Sequence, residues 1–226
     1  MDRAGLTRSI VEFVQKLNRL AMQSCEGNEG GGKEQERLIS KAVQLTGLGQ
    51  VRKLIGDDWQ LDKLRVLNHN NLSCLYKRRK KHGVALRSIN FALELEEKRL
   101  RDQQDCEKYD IVPTYLNKAA IYSEMGRHQQ ALGVIATANR HIQLIEEELV
   151  RQIEGEQDGE RRGRLVEKRH YGLYMKMLIL YNMGAEKEHL RAPEAAEYYK
   201  QAKQVATIIG NSLMVNKLTA VLASLS

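Results

Sequence analysis

The chain has 226 residues, 42% of them hydrophobic and 29% charged, and it carries a formal net charge of +7. Its longest apolar stretch, near residues 178–180, is far too short to cross a bilayer, so the composition argues against a membrane-spanning protein. A basic chain favours acidic partners, which include nucleic acid, anionic membranes and acidic protein segments.

The composition also favours helices. The two prolines, Pro113 and Pro193, each stand where a helix could begin, and the first turn of a helix tolerates proline. Leu, Ala, Glu, Lys, Arg and Gln are abundant, and all of them have high helix propensity. The predicted fold class is therefore all-α.

The cysteines indicate the redox environment. They are Cys25, Cys74 and Cys106, which are odd in number and scattered along the chain. Residues 1–6 carry Asp2 and Arg3 with no apolar stretch after them, so we expect no signal peptide. Both features predict an intracellular, cytoplasmic protein in a reducing compartment.

The N-terminal segment, residues 1–25, has the periodicity of an amphipathic helix over residues 6–23. We expect this helix to dock on the rest of the protein. A mitochondrial presequence is the alternative, because the segment holds four basic residues, although Asp2 and Glu12 count against it. The apolar positions at helical spacing are Leu6, Ile10, Val14, Leu17 and Ala21.

Residues 26–33, EGNEGGGK, form a clear linker in the sequence. Consecutive glycines maximise backbone freedom, so this segment is predicted to be flexible. Helical periodicity resumes over residues 34–46 and is then interrupted by glycines. Asp57 and Asp58 have the composition of a cap for the next helix.

Two stretches, residues 67–95 and 114–143, repeat one pattern of small and aromatic residues. In each, an Asn precedes a small residue and then a Tyr, and two alanines follow the Tyr at the same steps. Small residues at fixed steps let two antiparallel helices approach closely, so each stretch is predicted to form a helical hairpin of a stacked array. The matched positions are Asn71, Ser73, Tyr76, Ala85 and Ala92 in the first stretch and Asn117, Ala119, Tyr122, Ala131 and Ala138 in the second.

The predicted array covers residues 34–226. Its two clear repeats span about residues 64–103 and 113–153, and each has a helix A followed by an elongated helix B. Gly126 provides the turn of the second repeat, and Lys80 takes that place in the first.

The C-terminal part of the array is less regular. Residues 154–164 are predicted to be a polar loop or a frayed end of the long helix, followed by a degenerate repeat at about 165–209. We expect the turn of that repeat to begin at Gly184, which follows a Met as Gly126 does, and to be enlarged as far as Pro193. A last helix at residues 212–225 is predicted to cap the array, since the end repeats of solenoids need a cap.

These residues resemble tetratricopeptide repeats. The steps between the small residue, the Tyr and the two alanines match that family, as does the turn glycine Gly126, whereas Lys80 departs from it. The Asn and the long spacing are most similar to the repeats of kinesin light chains and of related cytoskeletal or ciliary proteins. The resemblance implies an α-solenoid of antiparallel hairpins that binds other proteins in a cytoskeletal or ciliary complex.

The resemblance also implies where a partner binds. In the family, helices A line a concave groove, and Asn at these positions hydrogen-bonds the backbone of an extended partner, because an amide offers both a donor and an acceptor. The degenerate repeat has Met175 at the corresponding place. The lysine, asparagine and arginine positions of a chaperone-type carboxylate clamp include Asn70, Cys74 and Pro113 here, so we expect no such clamp. The implied groove residues are Asn71, Asn117, Asn70, Cys74, Lys77, Arg78 and Ala120.

Two basic clusters stand out in the sequence. Residues 77–82, KRRKKH, could pair with acidic side chains of a partner, offset the macrodipole at a helix C-terminus, contact RNA or act as a nuclear localisation signal. Residues 161–170, RRGRLVEKRH, are predicted to be a solvated loop paired with the acidic residues before it. Tyr171 and Tyr174 follow at a helical spacing that suits burial.

The sequence lacks the patterns of nucleotide, metal and common catalytic sites. We therefore expect no cofactor, no metal and no enzymatic activity. The leading hypothesis is a non-enzymatic adaptor that binds an extended or helical, acidic protein segment. The alternatives are a basic RNA- or ribosome-associated protein, an enzyme, and a component that fills a place in a large assembly without a dedicated ligand.

Overall fold

The computed structural model of the chain describes residues 2–23, 32–56, 58–101 and 109–225. All regular secondary structure in these residues is α-helical, which confirms the all-α prediction. The chain divides into two compact units, Met1–Cys106 and Glu107–Ser226, each of which is described by itself. The predicted linker at residues 26–33 lies almost entirely outside the described residues, as does Asp57 of the predicted cap.

Unit 1 is a packed group of helices, and its described residues include two small apolar cores. Helix α1 packs against α2, α3 and α4, and α4 also packs against α5. In the larger core, Val14 and Leu17 of α1 meet Ala42 of α2 and Leu61 and Leu64 of α4. The helix bounds are α1 (Arg3–Gln23), α2 (Gly32–Gly47), α3 (Gly49–Ile55), α4 (Asp58–Arg78) and α5 (His82–Arg101).

Unit 2 follows the same principle of successive packing. Helix α7 packs against α6 and α8, and α9 packs against α8 and α10. Pro113 lies in the first turn of α6 and Pro193 lies two residues before α9, so both prolines stand at helix starts as predicted. The helix bounds are α6 (Ile111–Glu124), α7 (His128–Gly155), α8 (Gly159–His189), α9 (Ala195–Ile208) and α10 (Ser212–Ser224).

The two predicted hairpins are the pairs α4–α5 and α6–α7. Their small residues are buried, as the repeated spacing predicts, because a small side chain lets the partner helix approach closely. Ile89 and Ile135 are also buried, so branched side chains fill the space that the small ones leave. The buried small residues are Ser73, Ala85, Ala92, Ala119, Ala131 and Ala138, each at most 3% exposed.

One turn geometry connects the paired helices. In the α4–α5 turn the N–H of Lys80 donates to the carbonyl of Lys77, and the N–H of Lys81 donates to the carbonyl of Tyr76. The same pair of bonds recurs after α6, after α8 and after α9, which is the Schellman ending of a helix. The left-handed residue of this ending is Lys80, Gly126, Arg191 and Gly210 in the four turns.

The structure corrects three predictions in unit 2. The predicted loop at residues 154–164 is helical except at residues 156–158, because α7 runs to Gly155 and α8 begins at Gly159. Gly184 lies inside α8, and the turn that follows has Arg191 at its left-handed position. Tyr171 and Tyr174 are exposed, at 39% and 37%, although their spacing suited burial.

Candidate functional site

Five of the residues that the resemblance assigns to a groove lie together on α4 in unit 1. Their spacing of three and four residues places them on one face of the helix. Asn70, Asn71, Cys74 and Lys77 are half-buried and Arg78 is exposed. The face therefore combines amide groups near its centre with cations toward the C-terminus of the helix.

Asn71 is also part of a polar network that joins three helices of unit 1. Its Nδ2 donates to Oδ1 of Asn18 on α1 at 2.8 Å, and Nδ2 of Asn18 donates to Oδ1 of Asn68 at 2.6 Å. Nδ2 of Asn68 in turn donates to the hydroxyl of Thr46 on α2 at 3.0 Å, and that hydroxyl donates to the carbonyl of Ala42. Asn18, Asn68 and Thr46 are all buried, so each amide or hydroxyl relies on its neighbour in the network.

Sequence reasoning missed Asn18 and Asn68 as functional neighbours of Asn71. A signal for both is present in the chain. Asn18 lies four residues after Val14 and three before Ala21, both of which are buried, and Asn68 lies four after Leu64 and is buried too. A polar residue within an apolar helical pattern predicts a buried hydrogen-bonding partner, but not which one.

The corresponding residues of unit 2 lie on α6. Asn117 and Ala120 are half-buried, and they flank the buried Ala119. Thr114, one turn before Asn117, is buried, so Asn117 lies at the margin between the packed and the exposed sides of the helix. The relation of Asn117 to Ala119 is the same as that of Asn71 to Ser73.

The basic residues at the end of α4 have different roles. Arg79 forms an ion pair with Glu36 of α2, and the hydroxyl of Tyr76 donates to the same carboxylate at 2.8 Å. The hydrogen bonds from Tyr76 and Arg79 hold the pKa of the Glu36 carboxyl below its usual value, so Glu36 stays ionised at neutral pH. Arg79 therefore attaches α4 to α2, whereas Arg78, Lys80 and Lys81 are exposed.

The second basic cluster is the exposed start of α8. The Asp158 side chain accepts the backbone N–H of Arg161 at 2.7 Å as the helix cap, and Arg164 pairs with Glu160 one turn away. These contacts explain why a segment with several glycines and many charges is helical. Four acidic residues lie directly before the cluster, so residues 154–170 as a whole hold five acidic and five basic residues.

A shallow cleft of about 560 Å³ lies between α7 and α8 in unit 2. On its wall, Nζ of Lys176 binds Oε2 of Glu146 at 2.7 Å. Tyr109 is buried nearby, and its burial together with the Glu146 charge raises the pKa of its hydroxyl to about 12. The lining residues are Glu146, Glu147, Val150, Arg151, Arg169, Leu173 and Lys176.

Two further kinds of feature are absent from the described residues. They contain no group of three or more His, Cys, Asp or Glu side chains placed to hold a metal ion. None of the described helices has the length and apolarity that crossing a membrane requires.

Fold and candidate site together define an all-helical protein of packed helix pairs, with a polar and basic face on α4. Comparison with known proteins found no matching family model, no matching curated protein and no matching solved structure.

Proposed function

We propose that the protein is a non-enzymatic adaptor that binds extended segments of partner proteins at two helix faces, the face of α4 that carries Asn71 in unit 1 and the face of α6 that carries Asn117 in unit 2. The resemblance to tetratricopeptide repeats motivates this function, with a helical array as its framework. It also motivates a cytoskeletal or ciliary complex as the setting.

One observation supports the proposal most. Each asparagine stands two residues before a buried small residue, on a helix packed against its hairpin partner, and each stays half-exposed. A half-exposed amide can hydrogen-bond both the N–H and the C=O of an extended backbone without reading the side chains. Two such amides at equivalent positions are therefore suited to binding a peptide backbone.

Affinity capture from a cell lysate, with identification by mass spectrometry, tests the proposal. Asn117→Ala and Asn71→Ala should each reduce recovery of the partner about five- to tenfold, since each loses hydrogen bonds to the partner. Asn90→Ala, an exposed asparagine on α5, is the matched control and should leave recovery unchanged.

Thermal unfolding of each variant separates binding from folding. Asn71 also donates to Asn18, so Asn71→Ala is expected to lower stability slightly, and Asn117→Ala serves as the independent variant. Recovery equal to that of Asn90→Ala for both variants, with helicity intact, would remove the proposed binding mode.

A basic RNA- or ribosome-associated protein is the second candidate. Its support is the charge of unit 1, which holds 20 Lys and Arg against 14 Asp and Glu, giving +6 of the total +7. Binding to phosphates weakens steeply as salt rises, so a fluorescence titration with generic RNA tests it. Absence of binding at low salt would eliminate this candidate.

A further inference from the structure

The tip of the α4–α5 hairpin has an unusual charge composition. Residues 63–93 contain eight Lys and Arg and no Asp or Glu. Five of the eight are consecutive, at residues 77–81, and they lie at the end of α4 and in the turn that follows. Like charges at this density repel one another, so the arrangement lowers the folding stability of the free protein. A function for the charges would explain why the chain carries them.

Glu36 of α2 is a carboxylate at this tip, and it is already paired with side chains of α4 and the turn. It binds Arg79 and accepts the hydroxyl of Tyr76. Arg78, Lys80 and Lys81 are exposed beside this pair, and we call these three residues the basic tip.

The turn itself does not require these cations. The carbonyls of Tyr76 and Lys77 are satisfied by the backbone N–H groups of Lys81 and Lys80. The turn after α6 has the same hydrogen bonds but a sequence of Met125, Gly126 and Arg127, with a single cation. The hydrogen bonds that end the helix therefore do not depend on the cluster of cations.

The backbone conformation of Lys80 is a second indication that this tip has a function. Lys80 holds a left-handed conformation with φ of 58°, where the turns after α6 and α9 have glycine. A residue with a Cβ is strained there, and such strain often marks a functional position. Lys80 is also exposed, so a cation occupies this strained position at the surface.

We propose that the basic tip binds an acidic segment of a partner protein, a run of Asp or Glu side chains. This inference rests on the proposed adaptor function and specifies the chemistry of the partner. Arg78 can bind a carboxylate with two parallel hydrogen bonds, and Lys80 and Lys81 add point charges beside it.

Protein is favoured over single-stranded nucleic acid because, among the described residues 76–82, neither Tyr76 nor His82 is exposed as a stacking surface. Nucleic-acid grooves interleave cations with exposed aromatic rings. Tyr76, the aromatic residue at this tip, is half-buried, with its hydroxyl bound to Glu36 and Nζ of Lys81 5.9 Å from its ring centre.

The test uses the full chain and a fluorescent glutamate-rich peptide at low salt. Lys80→Gly should weaken binding about two- to fivefold, the range of one exposed ion pair, and the triple variant Arg78→Gln, Lys80→Gly, Lys81→Gln about tenfold or more. The matched control is Arg191→Gly, which removes a cation from the equivalent left-handed position after α8. Both glycine variants should raise thermal stability, but only Lys80→Gly should reduce affinity for the peptide.

Three results would overturn the inference: no binding of the peptide to the wild-type chain, an equal loss with Arg191→Gly, or tighter tip-dependent binding of an RNA oligonucleotide or phosphatidylserine vesicles. Asn117→Ala distinguishes this failure from failure of the adaptor function. If Asn117→Ala still reduces partner capture while the glutamate-rich peptide does not bind, the adaptor function is retained and the preference for an acidic partner is rejected.

Discussion

At the scale of single residues, the four Schellman turns differ in the residue that takes the left-handed conformation. Lys80 and Arg191 have φ of 58° and 54°, whereas Gly126 and Gly210 have φ of 70°. Glycine adopts this conformation without steric cost, and a residue with a Cβ pays about 1 kcal/mol or more. The chain therefore allows two matched kinds of substitution at equivalent positions, from a residue with a Cβ to glycine and from glycine to alanine.

We predict that Arg191→Gly raises the free energy of unfolding and that Gly126→Ala lowers it, each by about 1 kcal/mol. A Cβ at Gly126 would meet no atom within 4 Å, so its effect is purely conformational. Urea denaturation followed by circular dichroism measures both. A loss of stability in Arg191→Gly would show that its side chain makes contacts that outweigh the backbone strain.

Gly184 is needed for packing rather than for a turn. A Cβ at this position would lie 2.8 Å from the ring of Tyr199, which is buried and donates its hydroxyl to Glu188 at 2.8 Å. The ring cannot move away without breaking that bond. We predict that Gly184→Ala destabilises the protein by about 1–3 kcal/mol, as overpacking does.

Gly133→Ala is the matched control for Gly184→Ala. Gly133 also lies inside a helix, α7, but it is exposed and a Cβ there meets no atom within 4 Å. Helix propensity should make this control up to about 1 kcal/mol more stable. A lower melting temperature for Gly184→Ala and a higher one for Gly133→Ala support the packing role, whereas a stabilised Gly184→Ala contradicts it.

The two glycines also show what local sequence can predict. Gly126 and Gly184 both follow a methionine, and the pattern therefore predicted two turns. At Gly184 the reason for glycine is a ring fifteen residues further along the chain, on another helix. A contact of that kind has no local signature, so the spacing alone could not distinguish it from a turn.

At the scale of elements, the hairpins were predictable because the residues that indicate each hairpin lie close together in the sequence. Small residues at fixed steps predicted α4–α5 and α6–α7 close to their observed bounds. The start of α8 was not predictable from composition, because glycines and charges are typical of a loop. Its helix depends on specific contacts, the Asp158 cap and the Arg164–Glu160 pair.

The placement of the candidate site was only partly predictable. The resemblance assigned Asn70, Asn71, Cys74, Lys77 and Arg78 to a groove, and all five lie on one face of α4. The contact between Asn71 and Asn18 joins residues 53 positions apart. Such long-range pairing depends on how α1 packs, which periodicity along one helix does not encode.

The buried asparagine network gives a prediction about how α1 is held. Asn18→Ala or Asn68→Ala leaves a buried partner without its hydrogen bond, so each should cost about 1–3 kcal/mol of stability. The double variant removes both amides at once and should cost clearly less than the two single costs added together. Urea denaturation of the four proteins in this cycle measures the coupling.

Asn90→Ala, on the exposed side of α5, is the control for this cycle and should stay within about 0.5 kcal/mol of the wild type. Strict additivity of Asn18→Ala and Asn68→Ala would show that the 2.6 Å bond between the two side chains does not contribute to the packing of α1.

At the scale of the whole molecule, charge is divided unequally along the chain. Residues 107–226 hold 16 Lys and Arg against 15 Asp and Glu, a net charge of +1, whereas residues 1–106 carry +6. Exposed charges interact over about one Debye length, near 8 Å at physiological ionic strength and longer in dilute salt. Electrostatic repulsion should therefore be concentrated in unit 1, and above all at the α4–α5 hairpin tip, where residues 77–81 are five consecutive cations.

We predict that added NaCl raises the melting temperature of the wild-type chain by screening this repulsion. The double variant Arg78→Gln, Lys81→Gln should be more stable than the wild type at low salt, by about 0.5–1 kcal/mol, and should gain less from salt. The control is Arg161→Gln, Arg162→Gln, which removes two exposed cations from residues 154–170, where five acidic and five basic residues balance, and should leave the salt response unchanged. A wild-type melting temperature that does not change with salt, or an equal response in both double variants, would show that the tip charges are already compensated in the folded protein. In that case an acidic partner would gain nothing electrostatically by binding there, so this measurement also bears on the proposed specificity.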